Sequence, residues 1–485
     1  MKDLAELAID IGQSKGATAL EVRIQELTNE EIELRDLVPT NLTSTESCGI
    51  GIKVYQENSW GFASTSVLNK NGVEETVMLA LEIAKAGAGI SHNTSSRVPE
   101  PVHVDHWVLP IHQDTFTISV EEKLRLLEKI NRTCQNVKGV RSVISNMAFQ
   151  RRHQYFSNME GSQIDQVSYL GGVGFVVIAS DGNDRQVRSY PNSFGGQFAA
   201  TGYELVYDWP LLENAERIAE EAVALLRAPE CPSRKCDLIL DGSQLALQIH
   251  ETFGHPAELD RVLGYEANFA GTSFLTREQR HNLRYSSDIV NLYADARPAH
   301  IIAAGTYAYD DEGVAAQRTD LVKNGIFVNY LFSRDTAAEI GEPRSNGCVR
   351  ASGWNRVPII RQTNVCLEPG NWQLEALIAD TEDGILMQTN KSWSIDDKRE
   401  NFQFGTEIAW EIKNGKRTRI LKNPTYSGLT TDFWQSCDAI CGKDEWVLWG
   451  IPNCGKGQPE QLLAISHGAS PARFRNIDVG VSRAK

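Results

Sequence analysis

The sequence predicts an α+β protein with two domains: an N-terminal mixed α/β domain over residues 1–230 and a C-terminal, mainly antiparallel β domain over residues 231–485. Three observations support this prediction. The chain has 485 residues, more than one hydrophobic core usually organises. Its first half mixes helical and strand-like hydrophobic spacing. Its second half contains asparagine-glycine pairs between strand-like runs, which are typical of antiparallel hairpins.

Hydrophobic spacing predicts the elements at the beginning of the chain. Four apolar residues recur at the interval of one helical face and predict a first helix: Leu4, Leu7, Ala8 and Ile11. Residues 21–36 and 49–65 alternate apolar and polar positions and are rich in β-formers, so they are predicted strands. Residues 72–89 return to helical spacing and end in glycines, as helices often do.

Capping and turn residues predict the next elements. Ser119 followed by Glu122 has the spacing of a capping box, which places a helix at about 120–134. The pair Asp181-Gly182 separates two strand-like runs and predicts a hairpin. Helices and strands therefore alternate through the predicted N-terminal domain.

Two prolines set the predicted domain boundary. Residues 211–227 have the spacing of a long amphipathic helix, and Pro229 and Pro232 follow it. Because proline ends helices and favours extended chain, we place the boundary at residue 230. Beyond it, two pairs suit type I′ turns between antiparallel strands: Asn324-Gly325 and Asn414-Gly415.

The composition excludes several classes of function. The 48 Lys and Arg residues are outnumbered by 63 Asp and Glu residues, for a net charge of -15, and we expect no nucleic-acid partner. No stretch approaches the ~18 apolar residues of a membrane span, and the N-terminus does not resemble a signal peptide, so we expect a cytoplasmic protein without membrane contact. Nine scattered cysteines then predict reduced thiols rather than disulfides.

The strongest chemical pattern is an HExxxH sequence formed by His250, Glu251 and His255. A zinc peptidase needs imidazoles to hold the ion, an open position for water, and a carboxylate that takes the proton of that water. The two histidines and the glutamate provide three of these parts. The alternative is a set of polar residues on a solvated helix, because short His/Glu patterns also recur by chance.

The spacing of the two histidines requires a distorted helix. At ~100° per residue, side chains five positions apart on a regular helix point about 140° away from each other, too far for both to bind one ion. Gly254 and Pro256 flank His255 and allow the helix either to widen into a π-type turn or to end there. We predict that the preceding segment is a helix with Ser243 as its N-cap.

A third ligand has to come from elsewhere in the chain. Thiolate suits zinc, and the C-terminal quarter contains Cys437, Cys441 and Cys454. Ordinary buried thiols are the alternative for all three. The spacing of Cys437 and Cys441 would also suit a separate structural zinc site, but no second close pair of cysteines completes the four ligands.

Two further patterns are assigned no function. His103 and His106 lie in a proline-rich stretch, where a surface or packing role is expected rather than metal binding. The glycines within residues 49–51 and 171–174 do not form GxGxxG, so we predict no dinucleotide site.

Longer segments resemble the TldD/PmbA family of zinc metallopeptidases, also described as modulators of DNA gyrase. The resemblance spans nearly the whole chain and is carried by ALEVRI, GIGIKVYQENSWGFASTSVL, HETFGHPAELDR, GTYAYDDEGVAAQRTDLVKNG, NGCVRASGWNRVPIIRQTNV and NCGKGQP. It implies an α/β N-terminal domain, a β-rich C-terminal domain carrying the zinc, and a dimer. TldD-like members retain HExxxH and PmbA members, also called TldE, lack it, so the chain is similar to the catalytic TldD-like subunit.

The resemblance also implies the third ligand. In TldD-like members a cysteine within CGK-x-GQ completes the zinc site. This chain has CGK at Cys441 and at Cys454, and only the second continues into Gly-Gln, with one residue fewer in between. Cys454 is therefore the implied ligand and Cys441 the fallback. Glu258 and Asp260 also match family positions, where the two expected roles are to orient an imidazole or to form a surface salt link.

The resulting prediction is a zinc-dependent peptidase. His250, His255 and Cys454 hold the zinc, and Glu251 acts as general base towards a metal-bound water and then protonates the leaving amine. The resemblance implies small or unfolded peptides as substrates. Because LLAISHGASPARFRNIDVGV and LTTDFWQSCDAI depart from the bacterial TldD pattern, both a homodimer and a heterodimer with a TldE/PmbA-like subunit stay open. The alternatives are a non-catalytic peptide-binding subunit and a zinc hydrolase of non-peptide amides.

Overall fold

An eight-stranded sheet with helices packed against it forms the N-terminal half of the chain. The computed structural model describes residues 1–88, 97–269 and 271–481. The helices of this half are α1 (Lys2–Ser14), α2 (Lys70–Ala88), α3 (Val120–Gln135), α4 (Leu205–Asp208) and α5 (Leu211–Leu225). The strands are β1 (Ala19–Arg35), β2 (Val38–Gln56), β3 (Ser59–Thr65), β4 (Val104–Val108), β5 (Val140–Asn158), β6 (Gln163–Ser180), β7 (Arg185–Tyr190) and β8 (Gln197–Ala199).

The strand order of this sheet is β3-β2-β1-β5-β6-β4, with β7 and β8 also paired to β6. Neighbouring strands are antiparallel except β4, which runs parallel to β6. Helices α1 and α2 bury their apolar faces with strands β1 and β2 in one core, and α3 and α5 pack with β5 and β6 in a second. One long sheet therefore supports two separate helical layers.

Most of the elements predicted for this half are confirmed, with adjusted ends, but residues 49–65, predicted as one strand, form the end of β2, a turn and β3. Helix α3 begins after Ser119, whose hydroxyl accepts a hydrogen bond from the N–H of Glu122 at 3.2 Å. The pair Asp181-Gly182 lies in the hairpin loop between β6 and β7. The predicted helix over 72–89 corresponds to α2, and position 89 lies outside the described residues.

The C-terminal half is richer in strands than in helices. Its helices are α6 (Gly242–Ile249), α7 (Leu259–Val262), α8 (Leu374–Ala379) and α9 (Thr430–Gln435). Its strands are β9 (Arg234–Leu240), β10 (Leu292–Asp295), β11 (Arg318–Lys323), β12 (Ile326–Phe327), β13 (Val349–Arg350), β14 (Ile359–Ile360), β15 (Val365–Leu367), β16 (Asp383–Ile395), β17 (Asn401–Lys413), β18 (Lys416–Leu421), β19 (Pro424–Leu429), β20 (Cys437–Ile440), β21 (Val447–Lys456), β22 (Gln461–Ala469) and β23 (Ala472–Val481).

The main sheet of this half closes into a ring. Its order is β16-β9-β23-β19-β17, and β17 pairs back onto β16. Only the β9–β16 pair within the ring is parallel, so the predicted antiparallel character is confirmed. Both predicted asparagine-glycine turns form, with positive φ at each residue: 49° at Asn324, 77° at Gly325, 51° at Asn414 and 71° at Gly415.

Buried ion pairs join the two halves. The Arg188 guanidinium lies 3.0 Å from the Glu407 carboxylate, and Lys53 lies 2.8 Å from Asp335. The α+β fold class is confirmed, whereas the division at residue 230 stays a prediction. Within the described part of the chain, no helix has both the length and the apolar character needed to cross a membrane.

Candidate metal centre

The HExxxH segment forms a π-helical turn at the end of a buried helix. Helix α6 continues into a π turn over His250–Gly254, closed by a hydrogen bond from the His255 N–H to the His250 carbonyl at 3.2 Å. The predicted π-type turn is therefore confirmed. The solvated-helix alternative is wrong, because His250, Glu251 and His255 are 4%, 5% and 3% exposed.

Gly254 allows another side chain to lie directly against this turn. A Cβ atom at position 254 would come within 1.7 Å of Gln362 Oε1, so only glycine fits here. The side-chain amide of Gln362 donates a hydrogen bond to the His250 carbonyl at 3.2 Å. The glycine is thus needed for the contact that holds the turn.

The predicted N-cap of helix α6 was wrong. Asp241, two residues before Ser243, occupies the cap position, and its carboxylate accepts hydrogen bonds from the Ser243 N–H at 2.9 Å and the Ser243 hydroxyl at 2.7 Å. An ionised carboxylate is a stronger acceptor than a hydroxyl. Ser243 therefore becomes a donor to the cap instead of the cap itself.

Three donor atoms converge at the π turn. One ligand atom each from His250, His255 and Cys454 lies within 4.8 Å of the other two, and all three residues are buried. The Cys454 sulfur lies 3.6 Å from His255 Nε2. Cys454 reaches this point from strand β21, which is remote from the π turn in sequence. The fold thus brings together the two histidines and the thiol that the sequence singled out.

The other two C-terminal cysteines lie elsewhere. Cys441 packs in a separate apolar cluster with Leu377 and Ile378, and Cys437 belongs to the main core. Burial raises the pKa of both thiols, and Glu445 raises that of Cys441 further. Among the described residues they join no group of metal donors, so the separate structural zinc site is not formed.

The protonation of the three donors suits a metal of intermediate softness. Burial lowers the pKa of both His250 and His255 to about 4, so both rings are neutral at neutral pH. Burial acts to raise the pKa of Cys454, but Arg361 and His255 outweigh it and lower the pKa to about 7. Two neutral imidazoles and an accessible thiolate form a donor set that fits zinc.

A third histidine, which sequence reasoning missed, determines which nitrogen of His250 is free. His467 Nδ1 lies 2.9 Å from the Val365 carbonyl, which can only accept, so this nitrogen carries the proton. In the neutral ring His467 Nε2 is then an acceptor, and it accepts from His250 Nδ1 at 2.9 Å. The lone pair of His250 Nε2 is left for a metal. In the sequence, His467 belongs to no metal-binding spacing.

Glu258 orients the other imidazole, and Asp260 supports Glu258 indirectly. Glu258 Oε2 lies 2.9 Å from His255 Nδ1, which leaves His255 Nε2 facing Cys454. Although burial acts to raise the pKa of Glu258, Lys456 and His255 hold it well below its usual range. Asp260 instead accepts two hydrogen bonds from Lys456, at 2.7 and 2.8 Å. The surface salt-link alternative is wrong for both carboxylates, since both are buried.

Glu251 is held by a residue that the sequence did not indicate. The loop between β16 and β17 carries Arg399, whose guanidinium forms an ion pair with the Glu251 carboxylate. This pair fixes the position of the Glu251 carboxylate, which is not one of the three converging donors. A carboxylate held next to a metal site can accept and return a proton.

The fold and this buried group of two imidazoles and a thiol define a candidate metalloprotein. A family model described as the PmbA/TldA metallopeptidase C-terminal domain matches residues 233–480. Models for domain 1 and the central domain of the same family match residues 20–84 and 114–228. The chain belongs to the PmbA/TldD metallopeptidase family.

Named relatives agree with this assignment. A metalloprotease of Methanocaldococcus jannaschii is 28% identical over 460 residues, covering 91% of this chain and 92% of the relative. A zinc metalloprotease TldD homolog of Saccharolobus solfataricus is 21% identical, covering 89% and 90%.

Solved structures share the fold. A protein from Bacteroides thetaiotaomicron described as a modulator of DNA gyrase superposes with a TM-score of 0.74 at 18% identity, covering 99% of both chains. TldE of Thermococcus kodakarensis superposes with a TM-score of 0.72 at 17% identity, covering 98% of this chain and all of its own. At these identities the likeness is one of fold alone.

Proposed function

We propose that this chain is a zinc-dependent peptidase that hydrolyses small or unfolded peptides, with His250, His255 and Cys454 as the zinc ligands. The observation that carries the proposal is the convergence of these three buried donors, with Glu251 next to His250 in the chain. The names of the relatives support a metalloprotease, and one of them supports zinc. Zinc in such a site supplies a Lewis acid that polarises a carbonyl and lowers the pKa of water.

Other residues of the chain have separate roles in the proposed reaction. His467 and Glu258 hold the two imidazoles in the tautomers that leave both Nε2 atoms as ligands. Glu251 accepts the proton of the attacking water and passes it to the leaving amine, as a general base and then a general acid. Arg399 positions this carboxylate through their ion pair.

The proposed assembly is a dimer, either of two copies or with a TldE-like subunit. The fold shared with TldE supports an architecture common to both kinds of subunit. This chain retains the HExxxH residues, so in either assembly we assign it the catalytic role.

Metal removal tests the proposed function. We expect the purified chain, alone or mixed with a TldE-like subunit, to contain about one zinc per chain and to cleave members of a peptide library analysed by mass spectrometry. A chelator should abolish cleavage and added zinc should restore it. If the chain contains zinc and hydrolyses small amides but cleaves no peptide, the result favours the amide hydrolase. If the chain contains no zinc and shows no activity, the result favours a peptide-binding subunit.

Replacing His467 tests the arrangement of hydrogen bonds behind the metal. His467→Phe removes the acceptor for His250 Nδ1, so the proton can move to Nε2 and block the ligand atom. We expect zinc affinity to fall by about 10–100-fold, measured by competition with a chromophoric chelator. His153→Phe, at a half-buried histidine on the N-terminal sheet, is the matched control and should bind zinc normally. Equal affinity in both variants would contradict the assigned role of His467.

A further inference from the structure

A small cavity adjoins the strand pair that carries Cys454. It has a volume of about 180 Å³ and lies between strands β5 and β6 of the N-terminal sheet and the β21–β22 hairpin. Pro452, two positions before Cys454, lines it. Leu463, which pairs with Cys454 across the hairpin, also lines it. The cavity is therefore lined by residues that neighbour Cys454 in the β21–β22 hairpin.

Positive charge dominates this cavity. Arg152 and Arg350 both line it, and Asp311 is the only acidic side chain among the described residues of its wall. Asp311 already has partners, because its Oδ2 accepts from the Ala351 N–H at 2.6 Å and lies 3.4 Å from the Arg23 guanidinium. The described wall thus carries two arginines and one carboxylate, and that carboxylate is already engaged by a third arginine, Arg23.

Within the part of the chain that the structure describes, Arg350 has no carboxylate partner, and one of its donors is unused. It is 8% exposed, and its two Nη groups donate to the carbonyls of Gln362 and Ala464, the latter at 3.2 Å. Its Nε has no hydrogen-bond partner among the residues that the structure describes. Buried polar groups are nearly always paired, and a buried cation without an anion is costly. Burial lowers the pKa of this guanidinium, and the nearby Arg361 and Arg152 lower it further.

The N–H donors of Arg152 are also only weakly engaged. It is half-buried, and its contacts are two long ones, to the carbonyls of Ala351 at 3.4 Å and Ser352 at 3.5 Å. Hydrogen bonds of this length are weak. Both arginines can therefore turn towards an incoming anion without breaking an ion pair.

Arg350 is connected to the π turn through one residue. The Gln362 carbonyl accepts from Arg350, and the Gln362 side chain donates to the His250 carbonyl at 3.2 Å. The cavity and the metal donors are thus parts of one rigid, buried arrangement. A group bound by Arg350 would be held at a constant distance from His250.

We propose that this cavity binds a carboxylate of the substrate peptide through Arg152 and Arg350. The inference rests on the proposed peptidase function and adds a substrate class to it: peptides with a carboxylate close to the cleaved bond. The volume is below the roughly 300–1,000 Å³ of sites for drug-sized ligands, so it suits one residue of a peptide. The carboxylate is either the C-terminus of the peptide or an aspartate or glutamate side chain.

Two peptide series distinguish these sources. The zinc-loaded Glu251→Gln variant is titrated by calorimetry with one peptide that ends in a free carboxylate or in an amide. It is then titrated with amidated peptides that carry glutamate or glutamine at each of the last three positions. Wild-type enzyme is given the same peptides and kcat/KM is measured. Charge-assisted hydrogen bonds predict about tenfold or greater preference for the carboxylate in one series, in affinity and in kcat/KM.

Arginine variants then show which side chains cause the preference for the carboxylate peptide. Arg152→Met is expected to remove most of it, measured as the ratio of the affinities for the carboxylate peptide and its amide or glutamine counterpart. Arg350→Lys keeps the charge but loses the planar fork, so it should retain part of the preference. Arg280→Met is the control, because Arg280 also donates to backbone carbonyls but lies outside the cavity. Zinc content and circular dichroism confirm that each variant is folded.

The outcomes separate this proposal from the proposed function. No preference in either series, or an equal preference in wild type and Arg152→Met, overturns the carboxylate site. If no peptide is cleaved by wild type but the carboxylate preference in binding persists, the peptidase function fails and the site stands. A preference for the free C-terminus alone assigns the cavity to the end of the chain, and a preference for glutamate assigns it to a side chain.

Discussion

Glu251→Gln is expected to lower kcat/KM for peptide cleavage by on the order of 10²–10⁴-fold while leaving the zinc content unchanged. Glutamine has nearly the same shape but cannot accept a proton at neutral pH. Zinc should remain because Glu251 is not among the three converging donors. The measurements are peptide kinetics by mass spectrometry and metal analysis of the same sample.

The control for this variant has to reproduce the loss of a buried ion pair. Glu251 is paired with Arg399, so the substitution also removes a buried ion pair. Glu407→Gln likewise removes the ion pair between Glu407 and Arg188, at a site between the two halves of the chain. We expect Glu407→Gln to reduce stability without a comparable loss of kcat/KM. Equal losses in both variants, or an active Glu251→Gln, would remove Glu251 from the reaction.

Cys454→Ala is expected to lose zinc, with affinity lower by on the order of 10³-fold or more, whereas Cys441→Ala keeps it. The Cys454 sulfur lies 3.6 Å from His255 Nε2 and its pKa is lowered to about 7, so thiolate is available near neutral pH. Burial raises the pKa of Cys441, and this thiol packs against apolar side chains. Metal analysis after dialysis against a zinc buffer measures the difference.

The two cysteine variants are well matched as controls for each other. Both thiols are buried, at 3% for Cys454 and 0% for Cys441, so each alanine leaves a small cavity and costs about 1 kcal/mol or somewhat more. A difference in zinc content therefore cannot come from the loss of packing. Zinc retained by Cys454→Ala, or lost from Cys441→Ala, would show that the third ligand is not Cys454.

Much of the fold was predictable because the relevant patterns are local. Type I′ turns require positive φ at both central residues, and asparagine followed by glycine adopts positive φ at little cost. Both hairpin turns in the C-terminal half could therefore be predicted. Ser119 caps helix α3 through a bond that spans only three residues. The cap of helix α6 was missed because two polar residues, two positions apart, compete there, and their relative acceptor strength decides the outcome.

The sequence by itself determined the HExxxH donors and the distortion that they need, since Gly254 and Pro256 beside His255 indicate a widened turn through backbone freedom alone. Only the tertiary structure decided what surrounds them. His467, Arg399 and Arg350 come from distant segments, and no spacing in the sequence connects them to the π turn. The physical reason is that hydrogen bonds and ion pairs depend on the packing of strands that are remote in sequence, whereas turns and helix ends depend on neighbouring residues.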